Sequence, residues 1–263
     1  MSHAPDASKP SWLSLAGVGL AGGLFAGVFG VGGGLIMVPL LLWWARLDQK
    51  RAHATSLLAT TPVAVIGGVS YALGGVFAWL PAIFVALGGI VGAQIGAWML
   101  RRIAVGILRW GFIAFIVASG VMLLMQLPDR SAVLEITFAS AVILLGLGVA
   151  MGISAGLFGI GGGVIVIPVL MLFFGQSDLV AKSVSLLAMA PGAISGGISH
   201  LRHRSATLRD GAWVAAGSLI TTPLGAVIAF LLSPRLAALL FGLLMFVVAT
   251  NLIARAWRQR GKN

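Results

Sequence analysis

Two glycine triplets are the groups in this sequence whose type and spacing best suit the binding of a ligand. They occupy positions 32–34 and 161–163, and each precedes a short apolar run, 35–42 and 164–173. Each run is predicted to form a short helix, whose first amide N–H groups lack partners within the helix and carry the positive end of its dipole. Such a helix end can bind an anion. The triplets therefore predict two backbone segments able to hold a negative charge.

Uncharged polar side chains supply a second set of candidate donors. Ser56 and Ser185 follow the two triplets at the same spacing, and hydroxyls suit an oxyanion that must be released again. The predicted substrate-binding residues are Gly32, Gly33, Gly34, Gly161, Gly162, Gly163, Ser56, Ser185, Thr55, Thr60 and Gln94. The alternative for a single Ser or Thr is a bond within its own helical turn. The alternative for the triplets is close helix packing, which is the role expected for Gly17, Gly88, Gly92, Gly217 and Gly225.

The composition predicts that these groups lie in a membrane protein. Of the 263 residues, 59% are hydrophobic and 9% are charged, whereas about a quarter of a soluble domain is charged. Most apolar runs approach the roughly 20 residues that span a bilayer; they cover 12–45, 54–73, 79–100, 105–127, 133–174, 183–200, 211–232 and 236–255. A soluble enzyme and a nucleic-acid-binding protein are excluded. The net charge of +11 is typical of basic cytoplasmic loops.

The two triplets belong to an internal repeat. When the sequence is shifted by 129 residues, 21 of the 48 positions from 23 to 70 are identical to their counterparts. The shared features include Phe-Gly-x-Gly-Gly-Gly and a proline pair, Pro39 with Pro168. A break in a helix within lipid leaves backbone groups unpaired unless protein or water surrounds them. The glycine breaks are therefore predicted to lie inside the protein.

The basic residues predict how the two halves are oriented. If the long segments 12–45 and 133–174 each cross the membrane an even number of times, 14 basic residues lie on one side and 3 on the other. If every segment crosses once, the numbers are 8 and 9. Because Lys and Arg accumulate in cytoplasmic loops, the first arrangement is favoured. It predicts two inverted-topology repeats, each with a re-entrant hairpin at its glycine motif and three further helices, or eight to ten helical segments in all.

This arrangement divides the chain into five parts. Residues 1–11 form a cytoplasmic tail, 12–127 the first repeat, 128–132 a linker, 133–256 the second repeat and 257–263 a cytoplasmic tail. No acidic residue is predicted in the middle of the membrane, which disfavours a carboxylate-driven cation cycle. Lys182 is predicted to cap a segment and extend toward the membrane surface; the alternative is a place near the cavity, where it would draw anions into the mouth. Tyr71 and His200, which are counterparts in the repeat, are predicted to anchor segments at the interface.

The sequence contains a doubled Gly-x-Phe-Gly-x-Gly-Gly-Gly, a Val/Ile-Pro after each copy and a later Ala-x-x-x-Ser-Leu. These motifs resemble those of the sulfite exporter TauE/SafE family, also called the toluene sulfonate uptake permease family. The resemblance covers nearly the whole chain. It implies a transporter of sulfur oxyanions or organosulfonates in a bacterial inner membrane. Two differences between the halves could tune the substrate: Lys182 stands opposite His53, and Pro223 stands opposite Gln94.

The sequence therefore predicts an all-α polytopic secondary transporter of small anions such as sulfite or sulfonates. Transport would proceed by alternating access around the two half-helix ends. An anion channel, an assembly subunit and an intramembrane enzyme remain alternatives, although no catalytic set of residues lies within the spans. No cofactor and no metal are expected. The expected partners are a small anion, membrane lipids and a second copy of the chain, and no nucleic acid.

Overall fold

The chain forms a bundle of helices. The computed structural model describes residues 10–102, 105–125, 137–158, 162–202 and 206–260, and in these segments all regular structure is α-helical. The helices are α1 (Trp12–Phe29), α2 (Gly34–Trp43), α3 (Gln49–Leu73), α4 (Trp79–Arg102), α5 (Val105–Met125), α6 (Phe138–Phe158), α7 (Gly163–Leu172), α8 (Asp178–Arg202), α9 (Leu208–Leu231) and α10 (Pro234–Arg260). Within the described residues, six of them are long and apolar enough to cross a membrane. The prediction of an all-α polytopic membrane protein is confirmed.

The helices of the two halves keep the spacing of the sequence repeat. The starting residues of α2, α3, α4 and α5 are each followed 129 positions later by the starting residues of α7, α8, α9 and α10. The last residues of α1 and α6, Phe29 and Phe158, have the same separation. Each half therefore contains one long helix, one ten-residue helix and three further long helices in the same order.

Two helices begin earlier than their apolar runs. The apolar runs predicted starts at 54 and 183, but α3 begins at Gln49 and α8 at Asp178. In each case a polar side chain caps the helix: the Asp48 carboxylate accepts the Arg51 amide at 3.0 Å, and the Ser177 hydroxyl accepts the Val180 amide at 3.2 Å. A capped first turn can be polar, so hydropathy alone misses it. Helix α10 continues to Arg260, into the segment predicted to be a tail.

The two halves are joined by exchanged helix pairs. Helix α1 packs along α9, and α6 packs along α4 in the equivalent way. A Cβ atom at Gly217 would collide with the carbonyl oxygen of Ala16, and one at Gly88 would collide with that of Leu145. Gly92 and Gly225 make similar backbone contacts, and Gly17 lies against the Trp44 ring. The predicted packing role of these five glycines is confirmed.

Helices α3 and α8 lie together at the centre and run in opposite directions. Leu187, early in α8, lies against Gly68, late in α3. Leu58, early in α3, lies against Gly197, late in α8. Because α3 and α8 are counterparts in the repeat, this antiparallel contact is what two inverted halves would produce. The orientation of the chain in the membrane stays a prediction.

The short helices α2 and α7 are too short to cross a bilayer. Ten residues at about 1.5 Å each extend about 15 Å, roughly half the apolar thickness. The loop before α2 lies beside the middle of α3, where the Thr60 hydroxyl donates to the Gly32 carbonyl oxygen at 3.1 Å. Helix α2 therefore starts inside the bundle, and the chain then returns to the start of α3 at Gln49.

Candidate anion-binding site

The loop between α1 and α2 is shaped by glycines in a left-handed backbone conformation. Gly30, Gly32 and Gly33 have φ angles of 71°, 74° and 73°, where a side chain would cost about 1–2 kcal/mol per residue. The whole loop is buried. The backbone amides of Val31, Gly32 and Gly33 donate no hydrogen bond to any residue that the structure describes. These buried N–H groups are suitable donors for an anion.

The glycine segments of the two halves meet at the centre of the molecule. A methyl group placed on Gly163, the first residue of α7, would lie 2.8 Å from the Val31 Cα and 2.9 Å from the Gly30 carbonyl oxygen. Its third close neighbour would be the Ser185 hydroxyl oxygen, at 2.7 Å. The start of α7 and the loop before α2 are therefore in direct backbone contact, and only glycine fits between them.

Two hydroxyls predicted to bind the ligand hold the first glycine loop in place. Ser185 on α8 donates to the Gly30 carbonyl oxygen at 2.8 Å, which joins the two halves. Thr60 on α3 lies within hydrogen-bonding distance of the Gly32 carbonyl, at 3.1 Å, and of the Ser56 carbonyl, at 2.9 Å. A hydroxyl has one proton to donate. In the observed state these hydroxyls are therefore used to bind backbone carbonyls, and they hold the loop in place.

Thr55 and Ser56 occupy the adjoining part of α3. Both are buried, and the Thr55 hydroxyl has no hydrogen-bond partner among the described residues. A buried hydroxyl without a partner costs about 1–3 kcal/mol, so its presence calls for an explanation. Ser56 is the counterpart of Ser185, and the counterpart of Gly30 is Gly159, which lies outside the described residues.

The remaining predicted site residues are placed as follows. Gly34 is the buried first residue of α2, and Gly162 caps α7, where its carbonyl accepts the Ile165 amide at 3.0 Å. Gly161 lies outside the described residues. Gln94 is exposed on the surface of α4, and the structure does not bring it to the glycine loops. Its helix is apolar on all sides, so the sequence alone could not show which face is buried.

A buried ion pair lies against the first glycine loop. The Lys182 ammonium is 3.0 Å from the Asp178 carboxylate, and both side chains are 2% exposed. The Lys182 stem contacts Gly30, since a Cβ atom there would lie 2.7 Å from the Lys182 Cβ. The prediction that Lys182 extends to the membrane surface is wrong, because its charge is satisfied inside the protein. The four-residue spacing of Asp178 and Lys182 was the sequence signal for this pair.

Tyr71 is also placed differently from its prediction. It is fully buried, and its hydroxyl donates to the Gly27 carbonyl oxygen at 2.7 Å. Its ring packs on Phe230 with a centroid separation of 5.5 Å. The expected role at the membrane interface is wrong, because Tyr71 ties the end of α3 to α1 and α9. The side chain of its counterpart, His200, lies outside the described residues.

The donor set suits an anion. Across the described segments, no group of three or more His, Asp and Glu side chains is placed to hold a metal ion. The polar groups that converge near Gly30 are backbone amides and hydroxyls. These groups can stabilise a small negative ligand by hydrogen bonds and charge.

Comparison with known proteins identifies related sequences over most of the chain. The sequence model of the family described as sulfite exporter TauE/SafE matches residues 2–123 and 144–263. The match covers both repeats, including both glycine motifs.

Three relatives are each described as a probable membrane transporter protein. The protein from Xylella fastidiosa (strain 9a5c) is 26% identical over 244 residues, which cover 89% of this chain and 92% of the relative. The one from Bacillus subtilis (strain 168) is 23% identical over 214 residues, or 73% and 78% of the two chains. The one from Methanocaldococcus jannaschii is 29% identical over 196 residues, or 70% of each.

Proposed function

Since the chain belongs to the sulfite exporter TauE/SafE family and is a multi-pass membrane transporter, we propose that it carries a sulfur oxyanion or a small organosulfonate. The proposed membrane is a bacterial inner membrane, with both termini in the cytoplasm. The family description names sulfite, and a tetrahedral or pyramidal oxyanion matches a site made of several neutral donors.

The observation that carries this proposal is the contact between the two glycine segments. Gly163 lies against Gly30 and Val31, and Ser185 bonds the Gly30 carbonyl from the other half of the chain. A substrate bound beside this contact would touch backbone groups of both halves at once. Such binding would allow a movement of the surrounding helix units against each other to open the site first to one side and then to the other.

The packing around the site supports alternating access. The exchanged pairs α1 with α9 and α4 with α6 each join the two halves through glycine-lined backbone contacts, which favour movement as rigid units. The short helices α2 and α7 lie between these pairs and the central α3 and α8. A shift of one unit against the other would change the distance between Gly163 and the loop at 30–33.

The membrane potential determines whether this transport needs coupling. An anion that leaves a cell with a negative interior gains about 2.3 kcal/mol per charge per 100 mV. Export therefore requires no second ion, whereas uptake requires one. Both directions are compatible with the same central site.

The test is flux into liposomes that contain the purified protein. We expect saturable, protein-dependent uptake from a radiolabelled panel of sulfite, sulfate, thiosulfate, methanesulfonate and taurine, with protein-free liposomes as the control. An absence of saturable uptake for every compound of this panel would contradict the proposed substrate class.

A matched pair of variants links the flux to the glycine contact. Gly163→Ala places a methyl group within 2.9 Å of the loop backbone, so the two segments must separate by several tenths of an ångström. Gly146→Ala makes the same change on α6, where no heavy atom lies within 4 Å. We expect at least about a tenfold loss of flux for Gly163→Ala and normal flux for Gly146→Ala. Equal flux in the two variants would contradict a role of the Gly163 contact in transport.

A further inference from the structure

The face of α8 that contacts the first glycine loop carries three side chains in a row. Lys182, Ser185 and Met189 are spaced by three and four residues, so they lie on one face of the helix. The stem of Lys182 and the hydroxyl of Ser185 contact Gly30. Further along the loop, a Cβ atom at Gly32 would collide with the terminal methyl group of Met189 and would lie 3.1 Å from its sulfur. Met189 is therefore the side chain of this face that lies beside the loop amides without a described partner.

A second methionine lies against the next residue of the loop. A Cβ atom at Gly33 would lie 2.9 Å from the terminal methyl carbon of Met37, on α2. Met37 is fully buried and also packs on Gly22 of α1, whereas Met189 is 8% exposed. Two thioether ends therefore flank Gly32 and Gly33, and the end of Met189 is the less tightly enclosed of the two.

The end of Met189 can move without a shift of the backbone. A methionine side chain has three rotatable bonds and a polarisable sulfur, so it adapts to irregular apolar shapes. Other contacts of the loop are less adaptable, since Gly30 lies against the backbone and stem of Lys182, and Gly33 lies against a backbone carbonyl oxygen. A ligand that binds beside Gly32 would therefore be accommodated by movement of the Met189 thioether.

The two repeats differ at this position. The counterpart of Met189 is Thr60, and the counterpart of Met37 is Val166. Thr60 reaches the same loop from α3, and its methyl carbon would lie 3.4 Å from a Cβ atom at Gly32. Gly32 is thus flanked by both counterparts, with a side chain that carries a hydroxyl on the α3 side and a thioether on the α8 side.

We infer that Met189 is a specificity-determining residue, which contacts the carbon substituent of an organosulfonate. This inference rests on the proposed function. The sulfonate group carries the charge and binds the loop amides, and the alkyl group on its sulfur must leave water together with it. A thioether gains from contact with an alkyl group, because both are apolar. Inorganic sulfite and sulfate have no such group, so Met189 favours sulfonates with a short alkyl chain over them.

The experiment compares methanesulfonate, ethanesulfonate and propanesulfonate in liposomes that contain the intact protein. All three are monovalent anions throughout the usual pH range and share one charged group, so only the alkyl chain differs. The concentration dependence of flux gives an apparent affinity for each. We expect this affinity to rise about fourfold with each methylene, or about fifteenfold from methanesulfonate to propanesulfonate. This ratio does not depend on the amount of folded protein, since both values come from one preparation.

Met189→Gln tests the residue itself. Glutamine has nearly the same length as methionine, but its amide would lose hydration beside an alkyl chain. We expect the ratio of the propanesulfonate to the methanesulfonate affinity to fall to about threefold or less. Met189→Leu keeps an apolar side chain of similar volume and should retain the ratio.

Met245→Gln is the matched control. Met245 is a fully buried methionine on α10, which lies against Gly120 of α5 instead of the glycine loops. We expect this variant to unfold at a lower temperature and to keep the ratio of the intact protein. A Met189 side chain that only filled a gap in the core would give the same result as this control.

Each outcome is decisive. An affinity that stays flat or falls with chain length in the intact protein, or an unchanged ratio in Met189→Gln, would overturn the inference, and saturable flux would leave the transport proposal standing. The measurement on the intact protein can refute the inference even if Met189→Gln fails to fold. An absence of saturable flux for the three alkanesulfonates and for every anion of the earlier panel would overturn the proposed function and this inference together.

Discussion

The bond between Ser185 and the Gly30 carbonyl offers the sharpest test of the glycine site. Ser185→Ala deletes a fully buried donor 2.8 Å from its acceptor. A bond of this kind contributes about 0.5–1.5 kcal/mol, and side-chain bonds between membrane helices average about 0.6 kcal/mol. We expect the free energy of unfolding to fall by about 1 kcal/mol. If the same energy holds the loop in its binding geometry, the anion affinity falls about fivefold.

Ser218→Ala is the control for this experiment. Ser218 is equally buried and also lies across the two halves, with its hydroxyl 3.1 Å from the Gly19 carbonyl and 2.8 Å from the Val214 carbonyl, away from the glycine loops. Thermal unfolding in detergent and the concentration dependence of flux in liposomes are measured for both variants. We expect similar losses of stability but a change of apparent affinity only for Ser185→Ala. Equal flux changes in the two variants would refute the assignment of Ser185 to the site.

Three further predictions follow from individual residues. Thr55→Val removes a buried hydroxyl without a described partner, so thermal unfolding should show a gain of about 1 kcal/mol together with lower flux; a gain with normal flux would exclude Thr55 from the site. Asp210→Asn breaks the ion pair with Arg51, whose side chain is 37% exposed, so we expect the free energy of unfolding to fall by about 1 kcal/mol or less. A larger loss would contradict the expected weakness of this ion pair. The chain has no cysteine, so single cysteines at exposed Asp48 and Thr207 should react from the cytoplasmic side and one at Ser233 from the opposite side.

The order of the helices was predictable from the sequence because the repeat preserves the residues that break and restart the backbone. The glycine triplets and the proline pair kept the same register, and the structure places the starts of α2 and α7 at Gly34 and Gly163. A contact between the two glycine segments also follows from sequence reasoning, since broken helices in lipid must be covered by protein. The contact of Gly163 with Gly30 and Val31 agrees with that reasoning.

The roles of individual polar side chains were harder to predict from the sequence. Hydropathy treats Lys182 as a surface residue, yet its burial depends on a glycine loop in the other half of the chain and on the carboxylate one turn earlier. Gln94 could not be assigned to a face, because α4 is apolar on both its lipid side and its packed side. Ser185 was identified from its spacing and Thr60 from its place close to Ser56, but their carbonyl acceptors depend on the three-dimensional path of the loop.

The two halves have the same backbone arrangement but differ in the side chains around it. The shared backbone and the differing side chains should therefore affect different properties of transport. If the halves exchange conformations to expose the site on either side, the backbone contact between them must work in both arrangements, which explains why both glycine motifs are retained. The side chains need not be symmetric: Thr60 corresponds to Met189, and the Asp178–Lys182 pair to Gln49 and His53. Changes at Gly30 or Gly163 should therefore reduce the transport of every anion alike, whereas changes at Lys182 or Met189 should alter which anion is carried.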